Sequence, residues 1–450
     1  MHEILDGHGS EYPLHGNILI AGTSTDGPTL YPRRMYNLRE AIELYGSGEL
    51  IVGCHEALLS GATSIHLLRI SGVPATVTLV DSNLNPLLEI KTTSSGTRYN
   101  SWKIIVTSTH INVINDQDII IRSYDKSNFT TVGELAAKIK MDASVSTHMI
   151  LAQPTNNSAL VTDITEATYE LSGSISEDAL MHSERASKLN AAYNVILNLL
   201  MDIDIIVPMR AYPDLHIDIR NDLIKLCHNR AAHGYGTMAV LPLYHLNTTN
   251  SLITTNGRYL SVAAMRPILY RANLNPEDIN TLDTEYYVST GEALYAGLLS
   301  RLDINQYTDN KTLPIIGDHH SLTRTGLNQL DSLGYTTLRR STTRGYVVSK
   351  GQTIDHNQNF RSIYSTRMCI FIENMLRRHL DVYIGEPTPQ VFEIEHKIDD
   401  FMQDLMDSKA IRYYSFDLSI SLDTLNVEIE FVPTHSIETI HASLRLITRR

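Results

Sequence analysis

Apolar residues in this chain change their spacing several times, and each change marks a different kind of structure. Asn17-Ile18-Leu19-Ile20-Ala21-Gly22 is a short run apolar on both sides, as in a covered strand, and it ends in the loop Thr23-Ser24-Thr25-Asp26-Gly27-Pro28. Helical spacing follows. Asn37 is a plausible cap ahead of Leu38, Ala41, Ile42 and Tyr45, with a stop at Gly46; a second helix from Glu49 to Ser60 puts Leu50, Cys54, Ala57 and Leu58 on one stripe. Ser64 to Ile70 reads as a strand again. Strand, helices, strand predicts an α/β layer. From about Pro74 to Leu171 helical spacing nearly vanishes, and short β-rich runs appear at Ala75–Val80, Leu87–Thr92, Ser101–Val106 and Ile119–Ser123, with one short helix predicted at Val132–Ile139.

The α/β texture then resumes. A helix carrying Leu189, Ala192, Tyr193, Ile196 and Leu200 precedes the strand Asp204–Pro208, and a helix through Leu215, Ile219, Leu223 and Cys227 precedes the strand Thr237–Pro242. Beyond about Lys350, Met368, Phe371, Ile372, Met375 and Leu376 form an amphipathic stripe. Thr388-Pro389 opens another helix, which buries Val391, Ile394, Ile398, Phe401, Met402 and Leu405. Leu425 to Phe431 alternates apolar and polar at every step. The predicted organisation is an arm at 1–16, a discontinuous α/β core at 17–73 and 173–349, an inserted β-sandwich or barrel at 74–172, a C-terminal α+β domain at 350–440 and a terminal arm at 441–450. The expected fold class is α/β, a mostly parallel sheet flanked by helices, with an inserted all-β domain and a C-terminal α+β domain with extended terminal arms.

Composition narrows the function classes. With 37 Lys and Arg against 50 Asp and Glu, the formal net charge is −13, unsuited to a protein that coats nucleic-acid phosphates. No run approaches the ~20 apolar residues of a membrane span, and no basic-then-apolar opening suggests a secretory signal. Cys54, Cys227 and Cys369 are widely spaced, and we expect reduced, buried thiols.

The search for catalytic and ligand-binding motifs is mostly negative. There is no P-loop, and Gly46-Ser47-Gly48 and Gly234-Tyr235-Gly236 lack the third glycine of a dinucleotide fingerprint. His55-Glu56 begins like a zinc-protease helix, but Leu59 occupies the second ligand position; no CxxC pair is present. No GxSxG elbow is found. Asp202 and Asp204 flank Ile203 at a strand start and read as solvent-facing or capping residues. The expected protein is not an enzyme and has no cofactor and no metal site. What stands out is architectural: an N-terminal arm without periodicity and an alternating strand near the C-terminus, the kind of edge that an extended segment of another copy can complete.

Several segments, in order, resemble contractile phage tail sheath proteins. The opening strand, Gly-Pro loop, aromatic-Gly helix end and Arg-closed strand correspond to Ile18–Gly22, Gly27-Pro28, Tyr45-Gly46, Ala57–Gly61 and Ile65–Ile70 with Arg69. Ala191–Pro208 and Leu223–Leu241 resemble two further helix–strand units. Val288 to Gly297, with Arg301 and Asp303 after it, resembles the family's Pro-Ser-Gly-x-x-Ala-Gly turn, although the first proline is replaced. Leu327-Asn328, Phe360 to Arg367, Val427–Pro433 and Ile437-Glu438-Thr439-Ile440 resemble later segments. Other departures are Gly-Ala at Gly61 and no Trp-Gly near Arg344-Gly345.

The resemblance implies a subtilisin-type α/β layout without proteolytic machinery, and a sheath subunit that polymerises around a tube and contracts. Intersubunit strand exchange is then expected to involve Ile4, Leu5, Tyr12 and Leu14 of one arm, Leu425, Val427, Ile429 and Phe431 of the sheet, and Leu444 and Leu446 of the other arm. Arg445, Arg449 and Arg450 are the expected charged contacts. The implied partners are further copies in a helical homo-oligomer, a tail tube protein, and baseplate and tail terminator proteins, with no direct nucleic acid and no membrane insertion; the implied location is a virion tail sheath made in the host cytoplasm. Two rivals stay open on sequence alone: a subtilisin-like hydrolase with a β insertion, and a non-contracting tail or baseplate component.

Overall fold

The computed structural model describes residues 16–143, 150–175, 181–246, 251–272, 274–281, 285–320, 322–383, 391–421 and 424–434. The chain opens with β1 (Asn17–Gly22), β2 (Arg33–Met35), α1 (Leu38–Tyr45), α2 (Glu49–Leu59) and β3 (Ser64–Arg69). Asn37 caps α1 by accepting from the Glu40 N–H at 2.9 Å. Gly46 ends it at φ 72°, a left-handed conformation that disfavours any side chain, and its N–H donates to the Ile42 carbonyl. The Gly-Ser-Gly segment is therefore helix punctuation.

The next segment holds β4 (Pro74–Val80), β5 (Pro86–Ser95), β6 (Lys103–Val106), β7 (His110–Ile114), β8 (Ile120–Asp125), α3 (Val132–Ala143), β9 (Ile150–Pro154) and β10 (Thr168–Glu170). It forms an antiparallel sheet in the order β4-β5-β9 and another in the order β10-β6-β7-β8. Trp102, Tyr99, Ile104, Leu135 and Ile139 belong to a core of its own. Because α3 runs 12 residues and packs into that core, the segment is α+β, not all-β. Its two ends meet: the Val73 N–H donates to the Ile175 carbonyl at 3.0 Å, and the Ile175 N–H returns to Val73 at 3.1 Å.

Then follow α4 (His182–Leu197), β11 (Ile205–Pro208), α5 (Ile217–Ala232), β12 (Met238–Pro242), β13 (Leu260–Ala264), β14 (Pro267–Tyr270), β15 (Asn280–Thr281), β16 (Tyr286–Val288), α6 (Glu292–Arg301), β17 (Gly317–Asp318), α7 (Arg324–Ser332), β18 (Tyr335–Ser341) and β19 (Gly345–Val348). The main sheet has the order β19-β18-β13-β12-β11-β1-β3-β2, parallel except at its two outermost pairings. Strand alternation sends Ile18, Ile20, Ile205, Val207 and Val240 to one face, covered by α1, α2 and α6. Leu19, Ile206, Ala239, Leu241 and Val262 go to the other, covered by α4 and α5. Gly297 lets α6 lie directly on α2, since a Cβ there would sit 2.5 Å from the Ala57 carbonyl oxygen.

The chain closes with α8 (Gln358–Arg361), α9 (Ile363–Leu380), α10 (Val391–Asp407), β20 (Ile411–Ser421) and β21 (Thr424–Pro433). No helix among the described residues is long and apolar enough to cross a membrane.

Candidate assembly interface at the C-terminal hairpin

Helix α9 has two faces with different tasks. Met368, Phe371, Ile372 and Met375 pack against Ile394, Ile398, Phe401, Met402 and Leu405 of α10, which makes a small hydrophobic core. The opposite side is fastened to the parallel sheet by polar groups. The Gly236 N–H donates to Asn374 Oδ1 at 2.6 Å, and Asn374 Nδ2 returns to the Gly236 carbonyl at 3.1 Å. Arg377 Nε donates to the Gly234 carbonyl at 2.7 Å, and its guanidinium lies 4.2 Å from the centre of the Tyr235 ring. Both Arg377 and Arg378 pair with Asp202. Asp204 accepts from the Gly16 and Asn17 N–H groups, each at 2.9 Å. The expectation of Asp202 and Asp204 as solvent-facing or capping residues is thus corrected. They are the sheet's attachment points for α9 and for the start of β1, and the matching arginines lie about 175 residues away, too far to be read from local spacing.

On this base stands an antiparallel hairpin of β20 and β21. Its register opposes Tyr414 to Phe431, Phe416 to Ile429, Leu418 to Val427 and Ile420 to Leu425, so one face is apolar in both strands. Leu425, Val427, Ile429 and Phe431 are half-buried against the α9–α10 core. The other face carries Asp417, Asn426, Glu428 and Glu430, all exposed. Among the described residues the sheet has only these two strands. Each strand therefore keeps one edge of main-chain N–H and C=O groups without a neighbouring strand, over 11 residues in β20 and 10 in β21.

A groove of about 1300 Å³ runs between the hairpin and the core, with Val427, Ile429 and Phe431 on one wall and Cys369, Ile372 and Leu376 of α9 on the other. Arg258, Phe360 and Arg361 close it on the core side. Burial and the neighbouring Glu373 push the Cys369 thiol up to about 12, so it is a neutral apolar lining group, not a nucleophile. Burial also raises Glu373 above the usual carboxylate range, with the Arg258 guanidinium opposing. Beside its apolar walls the groove is lined by Asp331, Lys350 and His356, and apolar contact next to an open strand edge is the combination that an extended peptide uses.

The structure brings Leu425, Val427, Ile429 and Phe431 together on this hairpin. Ile4, Leu5, Tyr12, Leu14, Leu444, Leu446, Arg445, Arg449 and Arg450 lie outside the described residues, as does Thr388-Pro389. Strand β20 escaped the sequence reading, although Tyr414, Phe416, Leu418 and Ile420 alternate as clearly as β21 does. So did β7, whose Ile111 and Val113 alternate with His110 and Asn112. Cys54, Cys227 and Cys369 are all free thiols.

No protein-family model matches the chain, and no curated protein does. Solved structures do match, over almost the full length. The sheath tail protein of Listeria innocua is 13% identical with a TM-score of 0.61, covering 94% of this chain and 93% of its own. A chain of the anti-feeding prophage helical sheath in its contracted state is 11% identical with a TM-score of 0.55, covering 99% of both. A chain of the anti-feeding prophage baseplate is 10% identical with a TM-score of 0.56, covering 100% and 99%. From first strand to terminal hairpin, the chain has the fold of contractile tail sheath proteins.

Proposed function

We propose that this protein is the structural subunit of a contractile tail sheath. It polymerises helically around a tail tube and contracts to drive that tube through a target envelope. The observation that carries the reading is the terminal hairpin, a two-stranded sheet with apolar residues half covered, both outer edges without a strand among the described residues and a groove of peptide dimensions behind it. The chain likeness to a contracted helical sheath supports it. In this reading the 1–16 arm of one neighbour and the 441–450 arm of another add strands to the hairpin, through Ile4, Leu5, Tyr12, Leu14, Leu444 and Leu446. Arg445, Arg449 and Arg450 meet acidic surface such as Glu428 and Glu430. Main-chain pairing persists while side-chain interfaces are exchanged, so the lattice stays connected during contraction. The tube, baseplate and terminator proteins are its other partners, and the assembled particle is its location.

The test is negative-stain electron microscopy of the full chain, alone and with its tube protein, beside a variant lacking residues 1–16. Hollow or striated sleeves from the full chain, with only folded monomers from the truncation, are expected. Sleeves from the truncated chain would overturn arm exchange.

A further inference from the structure

A second crevice, of about 540 Å³, opens where the chain leaves β11 and β12, beside the start of α2. This is the carboxyl end of the parallel sheet at the β1–β11 boundary, where successive connections turn to opposite sides, the position at which open α/β sheets form ligand crevices. Glu56 lines it. The residue is 1% exposed; its Oε1 accepts from the Tyr287 hydroxyl at 3.2 Å, the Ser289 side chain lies beside the carboxyl, and Oε2 has no hydrogen-bond partner among the described residues. Glu292, fully buried at the first turn of α6, adds like charge beside it, and its Oε2 is also without a partner.

The cations nearby are engaged elsewhere. Arg185 binds Glu49 through two 2.7 Å contacts, Arg210 reaches Glu49 and the Asp278 carbonyl, and Arg266 donates to the carbonyls of Leu243, Tyr244 and Met265. Buried carboxyl oxygens are ordinarily paired, and this one is left able to accept from a donor entering the crevice. The crevice wall also carries the Tyr212 and Tyr244 rings, 5.0 Å apart edge to face, surfaces that favour a positive charge.

We propose that this crevice binds an organic cation, a primary ammonium or guanidinium head donating to Glu56 Oε2 within the negative field of Glu292. The head belongs either to a free amine or to a Lys or Arg side chain of a second copy. Burial and Glu292 push the Glu56 carboxyl up to about 8, with Ser289, Tyr287 and Arg210 opposing. Occupation by a cation therefore expels a proton near neutral pH.

Titration calorimetry of the dispersed full chain with agmatine, which carries both head groups, tests this in two buffers of different ionisation enthalpy. We expect saturable one-to-one binding with proton release at pH 7, tenfold or more weaker in Glu56→Gln and unchanged in the exposed control Glu43→Gln. No saturable heat, or equal affinity in Glu56→Gln, would overturn the proposal; far-ultraviolet circular dichroism checks that Glu56→Gln is folded. Sedimentation of assembled protein with saturating agmatine separates the sources. Loss of assembly assigns the site to a neighbour's side chain, and intact assembly assigns it to a free amine.

Discussion

Single residues in this protein hold distant segments together, and their energetics follow from burial. Glu49 and Arg185 are 5% and 2% exposed at their side chains and form a two-contact pair that ties α2 to α4. Removing Arg185 leaves the buried Glu49 carboxylate with only the longer 3.7 Å contact to Arg210, so Arg185→Met is expected to cost about 3 kcal/mol, read as a lower midpoint in urea unfolding. Glu56 acts in the opposite sense. Its carboxyl is raised from 4.5 to about 8 by burial and by Glu292. Below pH 4.5 both folded and unfolded states are protonated and the group has no effect. Between 4.5 and 8 the unfolded chain ionises while the folded one stays neutral, so stability falls by up to ~1.4 kcal/mol per pH unit, levelling above 8. Glu56→Gln should therefore match the parent near pH 4 and exceed it at pH 8, in melting temperatures measured without added amine.

At the scale of elements, sequence legibility depended on where the partner of each residue lies. Asn37, Gly46 and the 3.6-residue spacing of α1 are local, and they mark its two ends directly. The α9–α10 stripe is legible for the same reason, because each helix must bury one face. Asp202 and Asp204 were misread because an aspartate at a strand end looks the same whether it meets water or an arginine on a distant helix. The hairpin was half legible: β21 shows its alternation, but that β20 pairs with it, and that no third strand does among the described residues, depends on chain folding. Asn374→Ala should separate these contributions. It removes both hydrogen bonds to Gly236 while leaving the apolar stripe intact, and we expect a loss of about 1–3 kcal/mol in urea unfolding. Ile429→Asp, half-buried in the groove wall, should abolish sleeves in electron micrographs while leaving a soluble, folded monomer.

For the whole molecule, the inserted segment has its own core, and its ends meet at Val73 and Ile175. Replacing 74–172 with a short Gly-Ser linker is therefore expected to leave a folded core. The cost comes from contacts the insertion makes with its base. Arg69 donates to the Ser95 carbonyl at 2.5 Å, and Arg98 pairs with Asp26 at 2.7 Å. A lower melting temperature with a single cooperative transition would fit; aggregation of every linker variant would refute it.

Two kinds of information meet in this chain. Hydrophobic period, caps and glycine stops are properties of neighbours within a few residues, so covered strands, amphipathic helices, the change of texture near Pro74 and the absence of phosphate- or metal-binding motifs were all present in the linear order of residues. Pairing across long separations is not. The parallel register of β1 with β11, the arginine clamp on Asp202 and the meeting of Glu56 with Tyr287 exist only once the chain has closed loops of 100 residues and more. Side chains that look alike in a string become core, clamp or open site according to what folding places opposite them.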